Sequence, residues 1–430
     1  MARRFASFPA LSASVAVVGL SAMPALVGSC SCGTPAAEGE GEGEGEGEGE
    51  GEGEGEGEGE GEGEGEGESR VPCSVVSRDL GALEPVVGEL FLMHVGLGGF
   101  AIGEATLAQL PDGTRVIMDV GNNSHSDDIV DAIDDVFGDR AVDVVLLTHH
   151  HADHEDGLTK LLDDVAVGLV VHRGFTDVSD AANDATVQAL CDARPRAAQL
   201  ELCTTLAGGC GADEVSEPAA GCAGIGRDFG DGALTVIAAN AVTIDNFRYE
   251  RLIGPLNDVD NNGENARSVV VVLAHGAFRA VYAGDLTGGG SDTDPVEAFL
   301  VEQLGARLPA VDVMHVSHHG RDTSSSAAWL NALLPADGRP RTAVTGISTA
   351  HVGSPHTSVV DAVVPRLGDG DLWVTRVAAG GEGSDVINAG GGSVRIRTVD
   401  GGARYLVQAV DDGGDVLRTV EVSSGAACIP

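Results

Sequence analysis

The sequence predicts an α/β fold in which helices pack on a sandwich of two β-sheets. Short runs rich in β-branched residues recur along the chain, and several are apolar at every position, as in strands buried on both faces. Helix-like segments lie between these runs. Several runs also end in Asp or His, which brings polar side chains to the strand ends, where α/β folds place their ligand sites.

The predicted elements follow in chain order. The strand runs are GTRVIMDVG (113–121), AVDVVLLTH (141–149), LTVIAAN (234–240), ARSVVVVLAHG (266–276), FRAVYAGD (278–285) and VDVMHVSHHG (311–320). The helix-like segments are SDDIVDAIDDVFG (126–138), PVEAFLVEQLG (295–305), SAAWLNALL (326–334) and TSVVDAVVPRL (357–367). Residues 393–410 predict a hairpin, because SVRIRTVDGGARYLVQAV places a DGG turn between two alternating strands.

The N-terminus predicts a lipoprotein signal peptide over residues 1–29. Arg3 and Arg4 precede a run of apolar and small residues (9–28), and the junction LVGSC ends at Cys30, which would become the lipidated first residue. A plain signal peptide or an N-terminal membrane anchor is the alternative. The expected location is that of an exported lipoprotein at the bacterial outer membrane, the cell surface or the periplasm.

Residues 30–70 predict a disordered tether. Glu and Gly alternate over residues 38–68, with sixteen Glu, no cation and no apolar side chain from which a core could form. The net charge of the chain is −42, of which −28 belongs to residues 69–430. A surface this acidic repels phosphate backbones and disfavours long nucleic acid. The expected partners are a small-molecule or surface-linked substrate and, through the lipid, the membrane; no protein partner is implied.

The chain has eight cysteines, and Cys30 and Cys32 lie at the lipoprotein junction. An even number in an exported domain favours disulfides for the other six, and none of them forms a CxxC pair that would predict a zinc ribbon. The predicted pairs, of which the first two could exchange partners, are Cys191–Cys203, Cys210–Cys222 and Cys73–Cys428.

Residues 71–430 are predicted to form one domain. Within it, residues 172–230 hold four of the cysteines and much Ala, Gly and Asp, without a clear strand. We expect residues 172–230 to be an insertion that disulfides stabilise, because this segment lacks a hydrophobic core of its own.

The stretch LLTHHHADHEDG (146–157) predicts a metal site where a buried strand ends. His149 and His151 are two positions apart and can project together, whereas Asp153 and His154 fall in the following turn. His150 should point away. Neutral imidazoles and a carboxylate are ligands that Zn²⁺ accepts.

Two later strand ends supply further candidate ligands. YAGD delivers Asp285, and VSHHG delivers His318 and His319. A lone histidine at a strand end is more often structural, but three such strand ends make coincidence a poor explanation. The stretch NDVDNNGEN (257–265) resembles the start of a calcium loop, yet Val269 stands where the acid at the twelfth place is needed.

HHHADH resembles the HxHxDH signature of the metallo-β-lactamase fold superfamily, and the wider pattern is similar to the hydrolase domain of ComEC-type competence proteins. The resemblance covers most of residues 88–408. It is carried by HVGLGG, PDGTRVIMDVG, the HxHxDH stretch, NARSVVVV, YAGD, VSHHGRDTSSS, GSPHTSVV and SVRIRTVDGGARYLV.

The resemblance implies an αβ/βα sandwich with two zinc ions between the sheet edges, or one ion as the alternative. It implies that His149 and His151 bind one zinc and that Asp153 and His154 bind the second. The other implied roles are a bridging ligand (Asp285), a last ligand of the second ion (His319), a substrate contact or proton donor (His318) and an acid that orients ligands without binding metal (Asp119).

The sequence departs from the family pattern at two places. Many relatives supply a further histidine between HxHxDH and the bridging Asp, but only His172 and His275 lie in that interval, neither in the expected context. Asn265 is the weaker substitute. His351, just before GSPHTSVV, and His356, within it, are each either a loop residue or part of the substrate rim. The segment HVGLGG also lacks the acids of DVGQGD-type starts.

The function expected from these residues is metal-dependent hydrolysis of a phosphoester or phosphodiester, with Asp153 or His318 handling the proton. Zinc lowers the pKa of a bound water to roughly 7, which makes a nucleophile available at neutral pH. A β-lactamase or lactonase would use the same chemistry and stays open, as does a non-enzymatic metal-binding surface lipoprotein.

Overall fold

Two mixed β-sheets pack face to face in the computed structural model of this chain. The structure describes residues 71–175, 188–206, 215–216, 222–249, 263–291, 293–425 and 428–429, all within one compact unit, residues 67–430. The predicted signal peptide, Cys30, the Glu-Gly tether and Cys210 lie outside the described residues. Among the residues that are described, no helix combines the length and the apolar character needed to cross a membrane.

The strands are short and follow one another along most of the described chain. In chain order they are β1 (Val71–Pro72), β2 (Val75–Ser77), β3 (Phe91–His94), β4 (Thr106–Gln109), β5 (Arg115–Met118), β6 (Ala141–Leu146), β7 (Ala166–Gly174), β8 (Ala198–Leu206), β9 (Val215–Ser216), β10 (Asp228–Phe229), β11 (Leu234–Ala239), β12 (Val242–Thr243), β13 (Val270–His275), β14 (Phe278–Tyr282), β15 (Val313–His315), β16 (Thr342–Thr345), β17 (Leu372–Val374), β18 (Val386–Asn388), β19 (Ser393–Val399), β20 (Arg404–Val410), β21 (Val416–Ser423) and β22 (Cys428–Ile429).

The four helix-like segments of the sequence are helices, as predicted. In chain order the described α-helices are α1 (Ser126–Phe137), α2 (Ala152–Glu155), α3 (Leu158–Asp164), α4 (Val296–Leu304), the short α5 (Ser317–Gly320), whose two histidines have non-helical backbone angles, α6 (Ala327–Leu333) and α7 (Thr357–Val363), and residues 188–193 are also helical. Helix α1 has Asp127 and Asp128 in its first turn, where the helix dipole favours acids, and it ends at Gly138 with φ 73°.

The first sheet has the strand order β2-β21-β20-β19-β3-β4-β5-β6-β7-β8-β9, and the second has the order β10-β11-β13-β14-β15-β16-β17-β18, with β12 beside β11. Strands β5 to β8 run parallel, and so do β14 to β18. The predicted hairpin is β19–β20, in which Val399 pairs with Arg404 across the turn.

Apolar runs with no polar alternation arise because the strands are covered on both sides. In β5, Val116 and Met118 pack into the core between the sheets, whereas Ile117 packs with α1 and α3 on the other face. The helices α4, α6 and α7 contribute residues to the core of the second sheet, among them Leu300 and Trp329. The predicted sandwich of sheets covered by helices is therefore observed.

The expectation that residues 172–230 contain no strand was wrong. Strand β8 covers Ala198–Leu206 and pairs in parallel with β7. Its sequence, AQLELCTTL, alternates imperfectly because Leu202 and Cys203 are both buried, while the half-buried positions Gln199 and Glu201 accept hydrogen bonds from Arg194. A strand lying this near a sheet edge lacks the continuous apolar run that marked the central strands.

The first-choice disulfides Cys191–Cys203 and Cys210–Cys222 were wrong, and an exchange of partners, which the sequence left open, is observed, because Cys203 is bonded to Cys222. The segment after Cys222 packs against β8, since the N–H of Gly224 donates to the carbonyl of Leu202. The pairing thus follows a strand contact and not the shortest separation in sequence.

Cys73 and Cys191 are also disulfide-bonded. Val71 and Cys428 are partners in the β1–β22 ladder, which brings the two ends of the domain together. The side chain of Cys428 lies outside the described residues, so Cys73–Cys428 stays a prediction.

Replacing Cys203 and Cys222 together by alanine should lower the free energy of unfolding by about 3 kcal/mol. The reason is that the two cysteines are 19 residues apart, and without the disulfide the unfolded chain between them is no longer closed into a loop. Denaturant unfolding of the purified variant and of the wild type measures the difference. Non-reducing peptide mapping of the wild type should yield a Cys203–Cys222 peptide; a Cys191–Cys203 peptide would contradict the structure.

Candidate metal centre

Polar side chains follow the carboxyl ends of strands from both sheets and converge between them. The residues and their strands are Asp119 after β5, His149, His151, Asp153 and His154 after β6, Asp285 after β14, His318 and His319 after β15, and His351 after β16. Parallel strands end at one sheet edge, which is where open α/β sheets place their ligand sites. The sequence prediction that separate strand ends would meet is therefore observed.

A glycine allows the two sheets to approach each other at this point. Gly284 has φ +50°, and a Cβ there would lie 2.5 Å from Oγ1 of Thr148. On the same side, the N–H of Val269 donates to the carbonyl of Thr148 at 2.8 Å. A larger residue at position 284 would push the end of β14, and Asp285 with it, away from the histidines.

Asp119 is a fully buried carboxylate that holds the start of the histidine cluster in place. Its Oδ1 accepts a hydrogen bond from the backbone N–H of Thr148 at 2.7 Å, and its Oδ2 accepts one from the Thr148 hydroxyl at 2.8 Å. Nδ1 of His154 lies 2.9 Å from the same Oδ2. Both oxygens are thus engaged by protein donors, as is required of a residue that orients ligands.

These contacts determine which ring nitrogens carry protons. An ionised carboxylate only accepts, so His154 carries a proton on Nδ1. The Thr148 hydroxyl directs its single proton to Asp119, and its lone pair therefore accepts from Nδ1 of His149 at 3.1 Å. Neutral rings of His149 and His154 consequently present an Nε2 lone pair to the space between the strand ends.

His319 has the same tautomer for a different reason. Its Nδ1 lies 3.0 Å from the carbonyl oxygen of Gly346 and 3.2 Å from Oε2 of Glu104, and both of these atoms only accept. His318 and His319 have φ values of 55° and 54°, a left-handed conformation that non-glycine residues rarely adopt and that clusters at functional sites. The strained turn directs Nε2 of His319 toward the carboxylates.

The lone pairs of these imidazoles meet two buried carboxylates. Nε2 of His154 lies 3.3 Å from Oδ1 of Asp285, and Nε2 of His319 lies 3.6 Å from Oδ2 of Asp285 and 3.5 Å from Oδ2 of Asp153. Among the residues that the structure describes, three of these atoms have no hydrogen-bond partner: Nε2 of His154, Nε2 of His319 and Oδ1 of Asp285. Buried acceptors facing one another without donors need positive charge between them, and this donor set fits Zn²⁺.

The electrostatics of the side chains lead to the same conclusion. Burial raises the pKa of Asp285, but the charges of His154, His319 and His318 outweigh it and hold that pKa well below its usual value. Burial lowers the pKa of His319, yet Asp285, Asp153 and Glu104 raise it to about 10. Protons on the imidazoles thus balance the carboxylates in the metal-free side-chain set, and a bound cation would replace those protons.

The group of donor atoms around His149 and His151 is less complete than the group around His154 and His319. Nε2 of His149 lies 3.2 Å from Nδ1 of His151 and 3.9 Å from Oδ2 of Asp285. Burial and the neighbouring His154 hold the pKa of His149 well below its usual value, so its ring is neutral. Asp285 therefore lies between two groups of donors, of which the group with His154 and His319 is the tighter one.

Glu104 was not assigned to the centre from the sequence, and His351 was left open between a loop residue and the substrate rim. The groups of described residues whose ligand atoms all lie within 4.8 Å of one another are Glu104, His154, Asp285 and His319, and Asp153, His319 and His351. Glu104 follows Gly103 shortly after HVGLGG, the segment that lacks the acids of DVGQGD-type starts. An acid placed a few residues later, immediately before a strand, was the signal that could have found it.

Glu104 forms an ion pair with Nδ1 of His319, on the side of the ring opposite the nitrogen that faces the centre. Its Oε2 faces the protonated Nδ1 of His319, and its Oε1 accepts from Nε2 of His315 at 2.7 Å and from the N–H of Gly346 at 3.3 Å. His315, which the sequence identified only as a strand residue, stacks on Tyr282 at 4.0 Å between ring centroids. Glu104 thereby fixes the ring of His319 from behind.

The remaining candidates lie at the margin of the centre or outside it. His318 is 16 % exposed, its Nδ1 contacts the Thr323 hydroxyl, and its Nε2 lies 3.6 Å from Oδ2 of Asp285. Asn265 contacts Nε2 of His318 at 3.3 Å. His356 lies 3.4 Å from Asp322 on the exposed side.

The two histidines that the sequence offered as substitutes for the missing ligand have other contacts. His275 hydrogen-bonds Thr398 at 2.7 Å. His172 is buried, and its Nδ1 accepts from the N–H of Gly174. The stretch that resembles the start of a calcium loop (257–265) lies mostly outside the described residues.

A buried ion pair supports the loop between His149 and His151. Arg173 at the end of β7 makes two hydrogen bonds to Glu264, at 2.5 and 2.7 Å, and Glu264 also accepts from the backbone N–H of His150 at 2.8 Å. The ring of His150 points away from the centre, as predicted, and its Nε2 contacts the carbonyl of Gly174 at 2.9 Å. His150 thus anchors the backbone from which His149 and His151 project.

No protein-family profile and no curated protein matches the sequence. Among solved structures, a diphosphatase of the PhnP family aligns with 72 % of this chain and 98 % of its own, at a TM-score of 0.33 and 10 % identity. The subclass B3 metallo-β-lactamase MEM-A1, from a soil metagenome library, aligns with 58 % of this chain and 81 % of its own, at 0.28 and 14 %. A long-form RNase Z from yeast aligns with 60 % of this chain and 37 % of its own, at 0.33 and 13 %.

These names describe a diphosphatase, a metallo-β-lactamase and an RNase, and they apply to those proteins alone. With TM-scores no higher than 0.33, the aligned structures transfer neither a residue role nor a substrate to this chain. The roles of the site residues therefore follow from the geometry of the site alone.

Asp119→Asn should weaken metal binding by about 10–100-fold, because an amide NH₂ would replace one acceptor and release the ring of His154. It should also destabilise the fold by roughly 1–3 kcal/mol, since a buried donor would be left facing donors. Zinc titration against a competing chelator measures the affinity, and denaturant unfolding measures the stability. Asp112→Asn, on an exposed turn, is the matched control; equal zinc affinity in Asp119→Asn and wild type would contradict the orienting role.

Proposed function

We propose that this chain is a metal-dependent hydrolase that cleaves phosphoester or phosphodiester bonds. The observation that carries the proposal is the position of Asp285. One of its oxygens faces His154, and the other faces His149 and His319. A carboxylate between two donor groups suits a two-cation site, and such sites clamp the attacking and leaving oxygens of a phosphoryl group.

The chain's own residues would divide the work as follows. His149 and His151 would hold one cation, and Asp153, His154 and His319 the other, with Asp285 shared between them. Bound zinc would supply Lewis-acid activation of water and neutralise charge on the phosphoryl group.

His318 is the residue that we propose for handling the proton. It is partly exposed, and its Nε2 faces Asp285 from the open side of the centre. Burial and nearby histidines lower its pKa to about 4 despite the charge of Asp285, so the ring is neutral and able to accept a proton. Asp153 is the alternative, but its carboxylate is already directed at His319 and His351.

The order of motifs supports a branch of the fold that resembles ComEC-type hydrolase domains, whereas the acidic surface argues against long polyanions. We therefore propose a small or surface-linked phosphodiester as the substrate class. Phe100 and Val352 are exposed apolar residues, and the residues beside them, Ala101 and His351, belong to loops that Ser348 connects. They suit a substrate with an apolar substituent.

Two other functions remain as competitors. A β-lactamase or lactonase would use the same activated water on an acyl carbon, and a non-enzymatic lipoprotein would use the metal for stability alone. A purely structural zinc site is closed by four protein ligands. The exposed side of His318 and the incomplete group at His149 and His151 leave an open position, which favours an enzyme.

The zinc-loaded protein should hydrolyse bis(4-nitrophenyl) phosphate but neither nitrocefin nor a homoserine lactone. His151→Ala and Asp153→Ala should each abolish turnover and lower the zinc content while leaving the circular dichroism spectrum unchanged. His275→Asn, which alters a histidine hydrogen-bonded to Thr398 outside the centre, is the control and should keep full turnover. Turnover of the β-lactam or the lactone alone would overturn the phosphodiester proposal, and tightly bound zinc with no turnover would favour the structural role.

We also propose that the protein is exported and held at a membrane by lipid on Cys30, with residues 30–70 as the tether. The support is the LVGSC junction followed closely by the Glu-Gly tract. Lipoproteins carry several acyl chains, which together give stable anchoring where one chain would not.

Cys30→Ala should move the protein from the membrane fraction to the soluble fraction, because the junction would no longer be lipidated. Fractionation of cells that express wild type or variant, followed by immunoblotting, makes the comparison, and Cys32→Ala is the matched control. A mature wild-type chain that is cleaved and soluble would contradict lipidation.

A further inference from the structure

His351 is a buried histidine beside the metal centre, and the position of its ring proton differs from that of His149, His154 and His319. It lies in the loop after β16 and is 1 % exposed. Its ring stacks on that of His319, with 3.7 Å between centroids and 18° between planes. Its Nε2 lies 3.8 Å from Oδ2 of Asp153 and has no hydrogen-bond partner within the described part of the chain.

The protonation of this ring is determined by a backbone contact. The N–H of Ser348 donates to Nδ1 of His351 at 2.9 Å, and this bond is shorter than the 3.3 Å contact of the same Nδ1 with the Ser348 hydroxyl. A backbone N–H can only donate, so Nδ1 presents its lone pair and a neutral ring carries its proton on Nε2. This is the reverse of His149, His154 and His319, whose Nδ1 atoms face acceptors.

The tautomer separates His351 from the metal ligands. Its Nε2 is close enough to Asp153 and His319 to be counted with them as a group that could hold a metal. A metal on Nε2 would, however, need the lone pair where the proton lies, and moving that proton to Nδ1 would set it against the N–H of Ser348. The ring therefore brings an N–H donor, and not a ligand, to a space otherwise lined by acceptors.

We propose that Nε2–H of His351 donates a hydrogen bond to a phosphoryl oxygen of the substrate. The inference rests on the proposed function, since it names the group that receives the substrate at the same site. A fixed donor directed at an oxygen on which charge develops lowers the barrier, and loss of one such donor typically lowers kcat by about 10²–10³-fold.

The loop is built to keep this donor in place. The Ser348 hydroxyl donates to the carbonyl of Ala101 at 3.1 Å, which ties the loop to the segment before β4. The N–H of Ile347 donates to Thr375 at 2.8 Å. With the stack on His319, these contacts fix both the backbone and the plane of the ring, so that the donor needs no reorganisation when substrate binds.

Two variants test the donor in the zinc-loaded protein. His351→Phe keeps an aromatic ring against His319 but has no N–H, whereas His351→Gln offers an amide N–H near the position of Nε2. We expect both to retain the zinc content of wild type. With bis(4-nitrophenyl) phosphate, kcat should fall by about 10²–10³-fold in His351→Phe and recover in part in His351→Gln. Loss of zinc from His351→Phe, or full kcat in it, would overturn the proposal.

A second measurement does not depend on turnover. Long-range ¹H–¹⁵N correlation spectra of the zinc-loaded protein should show His351 protonated on Nε2 and unprotonated, without metal, on Nδ1. Adding inorganic phosphate should shift that Nε2–H resonance downfield, and His351→Phe should bind phosphate more weakly. A metal-bound Nε2, or a proton on Nδ1, would overturn the proposal.

Failure of the proposed hydrolase function and failure of the role proposed for His351 can be told apart. If the wild type hydrolyses none of the substrates, the proposed function fails, and the spectrum with phosphate still decides whether His351 is the donor. If the wild type hydrolyses the phosphodiester and the Nε2–H resonance does not respond to phosphate, the assignment of His351 alone is wrong.

Discussion

The buried carboxylate of Asp119 is the interaction on which the arrangement of the centre depends. It joins the end of β5 to the end of β6 through Thr148 and determines the tautomers of two histidines, His154 directly and His149 through the Thr148 hydroxyl. Burial raises its pKa, and the hydrogen bonds and charge that it receives act in the opposite direction. Without this anion, neither imidazole would have a fixed direction for its lone pair.

Around that carboxylate the two sheets contribute complementary parts. The first sheet brings imidazoles whose proton positions are set from behind, and the second brings Asp285 and the strained turn of His318 and His319. A centre assembled from two sheets is only as well defined as the contact between them, and the close approach at Gly284 shows how tightly that contact is made. Most of the centre is buried, whereas His318 keeps an exposed edge through which a substrate can enter.

The sequence was informative wherever a local pattern determines the structure. Runs with no polar alternation marked strands buried on both faces, and the spacing of HHHADH and the acids and histidines after later runs located the centre. Glu104 was missed and His351 was left undecided, because Glu104 acts through a partner more than 200 residues away and His351 through a loop turn, and neither leaves a periodic pattern in the sequence. Strand β8 and the bond from Cys203 to Cys222 depend on strand pairing near a sheet edge, where hydrophobic periodicity is weak.

The disulfide at Cys203 has a consequence for the histidine loop. Thr204, the next residue, pairs with Gly174 at the end of β7, and the carbonyl of Gly174 meets the ring of His150. A covalent bond between sulfur atoms thus lies only a few contacts from the backbone that presents His149 and His151. In a reducing compartment that restraint would disappear, and the loop would depend on its contacts with Arg173, Glu264 and Asp119. The precision of the centre is therefore coupled to the redox state of the place where the chain matures.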